Sequence, residues 1–371
     1  MVERVNPRLL LGMVLASILA GVAGAQDAPT AEDLLAAVAR GDPDAQWQLG
    51  DAYRHGRGVT QDDAEALRLY RAAADQGSSA GQWRLGNAYF HGWGVARDDT
   101  EAARWYRAAA EQGNAEGQWR LGNAYYFGLG VTRDRAEAAG WLQASAEQGS
   151  PEGQWRLGNA YLLGRGVAQD DAEAVRWYRA AAEQGNAEGQ WRLGNAHYFG
   201  TGTTQDYAEA VRWLRASAEQ SSAEGQWRLG NAYHFGRGVE QDRRAAARWF
   251  RAAAEQGSAE GQWRLGSAHY FGAGVAQDYA AAARWYRAAA EQGNAESQWR
   301  LGRLYSTGRG VPLDHVAAYA WLNLAAAQGH EEGAAGRDGL VESMAAEQIA
   351  EAQRMARELW RRIEGESPEA P

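Results

Sequence analysis

Three patterns in this sequence have residue types and spacings that could support chemistry. In the first, a Trp is followed four residues later by Asn and then by two large rings, as in Trp119, Asn123, Tyr126 and Phe127. Such a set does the chemistry of contact: rings anchor an interface, and Asn offers a donor and an acceptor to an extended backbone. Glu116, Glu152, Glu188 and Glu224 each stand three residues before such a Trp, the carboxylate-beside-ring arrangement that a saccharide site uses. The second pattern, Gly-x-Gly as at Gly128 and Gly130, raises nucleotide binding. It lacks the third Gly and any Lys, follows a helical stretch rather than a strand, and precedes an acidic residue that would repel phosphate. The third is the seven His. His197 and His269 share the register of Tyr125, whereas His55, His91 and His234 lie beside the ring positions, and none has metal-ligand spacing. No Ser, His and Asp set is revealed by spacing, and Cys is absent, which removes thiolate chemistry and disulfides. The expectation is contact rather than catalysis, with no metal and no cofactor.

The elements that position these residues follow from a period. Trp47, Trp83, Trp119, Trp155, Trp191, Trp227, Trp263 and Trp299 are 36 residues apart without insertion or deletion. A fixed period in this range means stacked supersecondary units, a solenoid. Each unit reads as two helices. Ala115 to Phe127 is the first, the Gly128–Val131 turn follows, and Asp134 caps the second, which Gly149 ends. Glu137 should complete a capping box, repeated at Asp62/Glu65, Asp98/Glu101, Asp170/Glu173 and Asp206/Glu209. Ser221 stands once where other copies end the second helix with Gly.

At about 100° per residue, Trp119, Asn123, Tyr126 and Phe127 share one sector of the first helix. Gly117, Leu121, Ala124, Tyr125 and Gly128 share the opposite, packing sector. The equivalent outward sets are Trp83, Asn87, Phe90 and His91; Trp155, Asn159, Leu162 and Leu163; Trp191, Asn195, Tyr198 and Phe199; Trp227, Asn231, His234 and Phe235; and Trp263, Ser267, Tyr270 and Phe271. The terminal copies are more polar: Trp47, Asp51, Arg54 and His55, and Trp299, Arg303, Ser306 and Thr307. These rows are the candidate ligand groove, and its Asn residues should be separable from the fold. On the second helix, Tyr106, Leu142, Tyr178, Leu214 and Phe250 share a core position that needs no hydroxyl.

The pattern Leu121-Gly122-x-x-Tyr125-x-x-Gly128-x-Gly130-Val131, followed by Asp134, Ala138 and Ala146, resembles the Sel1-like repeat family, relatives of the tetratricopeptide repeat. The resemblance implies an all-α, right-handed superhelical solenoid. Eight 36-residue helix-turn-helix repeats would fill residues 44–332, between a capping helix in 26–43 and capping helices in 333–364, with a tail at 365–371. The outward sets match the ligand-facing positions of tetratricopeptide helices. What this implies is a non-enzymatic scaffold that binds a protein or peptide segment, since some relatives are adaptors of the bacterial envelope. Glycan or peptidoglycan binding on the same Trp and Tyr face is the alternative. One departure recurs: Gly117, Gly153, Gly189, Gly225 and Gly261 stand where the family usually has Ala, and Gly within a helix costs up to ~1 kcal/mol. Past Gly329 the motif decays, and Ile349, Ala352, Ala356, Leu359 and Ile363 form the apolar face of a terminal helix.

A net charge of −9 gives no support for nucleic acid or an anionic membrane as partner. The first 25 residues read as an export signal. Arg4 and Arg8 precede an apolar run from Leu9 to Val22, then Ala23-Gly24-Ala25 supplies a small-residue cleavage site. A periplasmic or secreted protein without membrane insertion is expected. Intact-mass measurement of protein from its native host should find a chain beginning at Gln26. Residues 1–25 retained in a membrane fraction would refute cleavage.

Overall fold

The computed structural model describes residues 29–364; the residues read as an export signal and as a C-terminal tail lie outside them. The described residues form nineteen helices and no strand. They divide into two compact units, one of residues up to 153 with 165–167, the other of 154–164 with 168 onward, so the division falls within the helix Pro151–Leu163.

In the first unit, Ala31–Ala39 is followed by the pairs Pro43–His55 with Asp63–Asp75, Ser79–His91 with Asp99–Glu111, and Ala115–Phe127 with Arg135–Glu147. In the second, Asp171–Glu183 precedes Ala187–Phe199 with Tyr207–Glu219, Ala223–Phe235 with Arg243–Glu255, Ala259–Phe271 with Tyr279–Ala290, and Ala295–Thr307 with His315–Ala327. Glu331–Val341 and Ala346–Glu364 close it. The last helix buries Ala356 and Leu359 against Tyr286, Leu301, Leu304 and Trp321, and Ala352 against Tyr319 and Met344, covering the final repeat as its apolar face requires.

Local chemistry sets the helix ends. Asn114 caps the Ala115–Phe127 helix by accepting the Gly117 N–H, and Gly128 ends it in the left-handed region at φ +76°. Asp134 Oδ1 then accepts the N–H groups of Ala136 and Glu137. The reciprocal half of the expected capping box does not form there, because the Asp134 N–H is already donated to the Tyr125 carbonyl at 3.0 Å. The acidic residues turn elsewhere. Glu65, Glu101, Glu173 and Glu209 each hold the Arg three residues on, and Glu137 accepts the Trp141 indole N–H. A complete box does form at Thr30 with Asp33.

Two kinds of contact join successive repeats. The first is close approach. A Cβ placed on Gly117 would lie 2.6 Å from the Ala109 Cβ of the preceding second helix, and one on Gly189 would lie 2.6 Å from that of Ala181. Glycine at these positions is therefore a packing requirement, which outweighs its helix penalty. At Gly130 the constraint is tighter still, since a Cβ would fall 1.9 Å from the Asp99 carbonyl oxygen. The second is a buried glutamine relay that sequence reasoning missed. Gln112 Nε2 donates to Gln82 Oε1 at 2.7 Å, and Gln148 donates to Gln118 at 2.6 Å. Gln118 Nε2 in turn reaches the Ala110 carbonyl of the preceding repeat at 3.4 Å. Each carboxamide that leaves water is thereby partnered.

Two substitutions separate these effects. Gly189→Ala should lower stability by ~1–3 kcal/mol through overpacking despite the better helix propensity of Ala. Ser221 adopts φ +65°; Ser221→Gly should raise stability by about 0.5–1 kcal/mol by relieving that conformation. Urea midpoints check both. A stabilised Gly189→Ala protein would contradict the close-approach reading.

Candidate functional site

The Arg that follows Trp in seven of the eight copies decides the character of the outward face. In the first unit, Arg84 Cζ lies 3.9 Å from the ring centroid of Trp47 and 4.1 Å from that of Trp83. Arg120 lies 4.5 Å from Trp83 and 4.1 Å from Trp119. In the second unit, Arg192 contacts Trp155 and Trp191, and Arg228 contacts Trp191 and Trp227, all at 4.1–4.4 Å. At these junctions indole and guanidinium alternate, each of the four Arg shared by its own Trp and that of the preceding repeat.

The remaining polar atoms of these guanidiniums are matched. Arg120 Nε donates to Asn87 Oδ1 of the preceding repeat at 2.8 Å, and Arg192 donates likewise to Asn159 at 3.0 Å. The other end of each guanidinium pairs with a carboxylate four residues back: Glu116 for Arg120, Glu188 for Arg192 and Glu224 for Arg228. The same carboxylates accept the indole N–H of Trp119, Trp191 and Trp227 at 3.1 Å. Tyr106 and Tyr178 donate their hydroxyls to Asn87 and Asn159 at 2.7 and 2.6 Å. The core position on the second helix therefore uses its hydroxyl wherever Tyr occupies it opposite Asn. In the first repeat Asp51 replaces Asn and pairs directly with Arg84 and Tyr70. Burial raises the phenol pKa of Tyr286 to about 12 and pushes up those of Tyr106 and Tyr178, so all three phenols stay protonated at neutral pH. Burial pushes the Arg228 and Arg264 guanidiniums below the usual arginine range, and Glu224 and Glu260 oppose that shift.

The structure thus brings together the Trp, Asn and Glu that the sequence singles out, around an Arg that sequence reasoning left out. The expectation that the Asn row is separable from the fold does not match this geometry. Asn87 and Asn159 each accept two hydrogen bonds, one from the Tyr of their own repeat and one from the Arg of the next, and Asn195 accepts one from Arg228 at 3.2 Å. Periodicity gave the Asn its direction; the partner arrives from a residue 33 positions later in sequence and is invisible to a helical wheel.

Beyond this floor lies an edge that is open to solvent. Phe127, Phe199, Phe235 and Phe271 are 62, 64, 52 and 61% exposed, and Leu163 is 50% exposed. Tyr126, Tyr198 and Tyr270 are half-buried and meet the adjacent Phe edge-on at 4.8–5.0 Å. The Tyr126 hydroxyl accepts from Arg165, and that of Tyr198 accepts from Arg237 at 2.9 Å. Phe90 is half-buried, with Arg97 5.3 Å from its ring, and His91 stacks on Trp93 at 4.6 Å. In the second unit two cavities open on this face between consecutive repeats. One, of about 330 Å³, is lined by Asn159, Leu162, Asp171, Trp191, Arg192 and Arg228 among others. The other, of about 350 Å³, has Asn231, His234, Arg243, Trp263, Arg264 and Arg300 in its wall. Burial first, then Arg243 and Arg264, pushes His234 below the usual imidazole range, so it is neutral at pH 7. Among the described residues no group of His, Asp and Glu is arranged to hold a metal ion, and no helix is long and apolar enough to cross a membrane.

Comparison with known proteins identifies the pattern. The family model described as Sel1 repeat matches eight consecutive segments: 43–78, 79–114, 115–150, 151–186, 187–222, 223–258, 259–294 and 295–330. Among solved structures, the chain is similar to c5321, a protective antigen of uropathogenic Escherichia coli strains displaying an SLR fold. The two are 34% identical over 92% of this chain and 83% of that one, with a TM-score of 0.50. It is similar also to a Sel1 repeat protein from Oxalobacter formigenes, 32% identical over 83% of this chain and 89% of that one, with a TM-score of 0.59. A search of curated proteins returned no match.

The floor and the edge should respond differently to truncation. Arg192→Ala should cost ~1–3 kcal/mol of stability, since it takes one of two partners from both Glu188 and Asn159. Asn159→Ala should cost ~1–2 kcal/mol for the same reason. Phe199→Ala, at an exposed position, should stay within about 0.5 kcal/mol of the wild type. Denaturant unfolding of the three variants provides the comparison; equal midpoints would show that the Trp–Arg stack does not hold the repeats together.

Proposed function

The chain belongs to the Sel1 repeat family, and from that premise we propose that it is a non-enzymatic scaffold of the bacterial envelope, which docks a protein segment along its exposed aromatic edge. Repeat proteins of this kind are protein-interaction scaffolds. The observation that carries the finer reading is the row Phe199, Phe235 and Phe271, one large apolar ring per repeat, each more than half exposed. Large apolar rings repeated along one edge and more than half exposed are costly in water, which is the signature of an interaction surface. The envelope assignment rests on the export signal read in the first 25 residues.

The floor of the groove supports the same division of labour. Its tryptophan rings are already stacked by guanidiniums, and its Asn and Glu oxygens are already accepting hydrogen bonds. These are the groups on which a saccharide would stack and bond, so the floor favours the protein-binding reading over the glycan one. A docked segment would instead meet the Phe edge and the openings between repeats.

The test is affinity capture from an envelope extract, with the wild-type chain beside a Phe199→Ser, Phe235→Ser, Phe271→Ser triple variant. The wild type should retain a defined protein set that the variant loses by at least about tenfold, as expected when central apolar anchors are removed. The variant should melt like the wild type. Recovery of the same proteins by both would sink the aromatic edge as the working surface.

A further inference from the structure

The two cavities of the second unit are the same place in two repeats, two periods apart in sequence, and they are not chemically alike. Asn159, Leu162, Asp171, Tyr178, Trp191 and Asn195 in one correspond to Asn231, His234, Arg243, Phe250, Trp263 and Ser267 in the other. Arg192 and Arg228 correspond to Arg264 and Arg300. The first residue of the second helix therefore changes sign, from Asp171 to Arg243.

The internal hydrogen bonds change with it. Phe250 has no hydroxyl to give to Asn231, and Arg264 Nε donates to Glu260 at 3.1 Å rather than to the Asn. Asn231 Oδ1 is left buried with no partner, and so is the Trp263 indole N–H, whereas Trp191 and Trp227 both have one. Ser267 is engaged with the Tyr286 hydroxyl at 3.1 Å. Of the three guanidiniums, Arg264 pairs with Glu260 at 3.0 Å and Arg300 with Glu296 at 2.9 Å. Arg243 is exposed and forms no ion pair among the described residues. His234 contributes no compensating charge. The cavity thus carries one positive charge in excess, a buried acceptor and a buried donor without partners, and the exposed Phe271 ring in its wall.

We infer that this cavity receives the carboxylate of an Asp or Glu side chain from the docked protein segment, with Arg243 as its ion partner and an adjoining apolar side chain on Phe271. This rests on the scaffold reading above and names the chemistry of the partner: an acidic segment with interspersed apolar residues. Guanidinium suits a carboxylate because its planar fork matches two oxygens at once. The cavity lined by Asp171 discriminates against the same group by charge.

Isothermal titration of the full mature chain tests this with three probes: a capped tetrapeptide of alternating Glu and Phe, its Gln and Phe counterpart, and N-acetylglutamate. The Glu peptide should bind at least about tenfold more tightly than the Gln peptide. Arg243→Asp should abolish that preference, and the fold should tolerate it, since Asp171 already occupies the equivalent position. Asp171→Arg should add a second site for the Glu peptide. Equal binding of the Glu and Gln peptides, or a preference unchanged in Arg243→Asp, would overturn the carboxylate site. Loss of captured partners in the Phe triple variant would still stand, so the two readings fail separately. N-acetylglutamate binding as tightly as the peptide would overturn the acidic segment as occupant, and no binding of any probe at millimolar concentration would overturn the site itself.

Discussion

A charged side chain shared between two repeats governs this protein. Each guanidinium of the Trp–Arg stack is mostly withdrawn from water, and a lone buried charge would be strongly destabilising. At Arg120 it is tolerated because four kinds of partner converge: its own Trp, the preceding Trp, a carboxylate one turn back, and an Asn oxygen from the preceding repeat. A desolvated cation on an indole face contributes ~2 kcal/mol, and the partner set is not complete within a single repeat. The unit of stability is therefore the junction between repeats, as expected for stacked modules that cannot bury their faces alone. The glutamine relay and the glycine close approaches reinforce the same junctions from the packing side.

Helical content, the positions of the turns and the separation of two faces were legible from spacing alone. The period fixed where each helix had to begin again, and glycines at positive φ marked where each had to stop. What escaped was pairing between residues distant in sequence. Asn87 and Arg120 are 33 residues apart, and Gln82 and Gln112 are 30 apart. A helical wheel assigns direction without showing what comes to meet a side chain, so the Asn row read as free when it was joined to the next repeat. The capping box failed for a related reason: the N–H that Glu137 would have served was taken by the Tyr125 carbonyl. The Gly of the first helix read as a weakness until the Ala109 Cβ was found 2.6 Å from where its own Cβ would be.

This division changes how the repetition bears on function. Side chains that recur in nearly every copy, namely Gln, Trp, Arg, Leu and Gly of the first helix, are consumed by the junctions. A position that every junction needs is a poor place for specificity, since altering it disturbs the stack. Positions that vary from copy to copy while remaining at the surface are free of that constraint. The position of Phe127 is His91, Leu163 and Thr307 in other copies, and the residue opening the second helix runs through Arg135, Asp171, Tyr207, Arg243 and Tyr279.

The second cavity shows how departures from the repeat accumulate at one place. Phe250, Ser267 and Arg243 each differ from their counterparts two periods earlier, and all three line the same wall. Taken singly, each loosens the local network: one removes a hydroxyl, one replaces a carboxamide and one adds an unpaired cation. Taken together they leave an acceptor, a donor and a charge around one cavity, and such groups are paired in an ordinary protein interior. Wear scattered at random over the seven junctions between eight repeats has no reason to place all three changes in one wall. A surface shaped to recognise a partner does, because specificity is gained by leaving polar groups that only the right ligand satisfies.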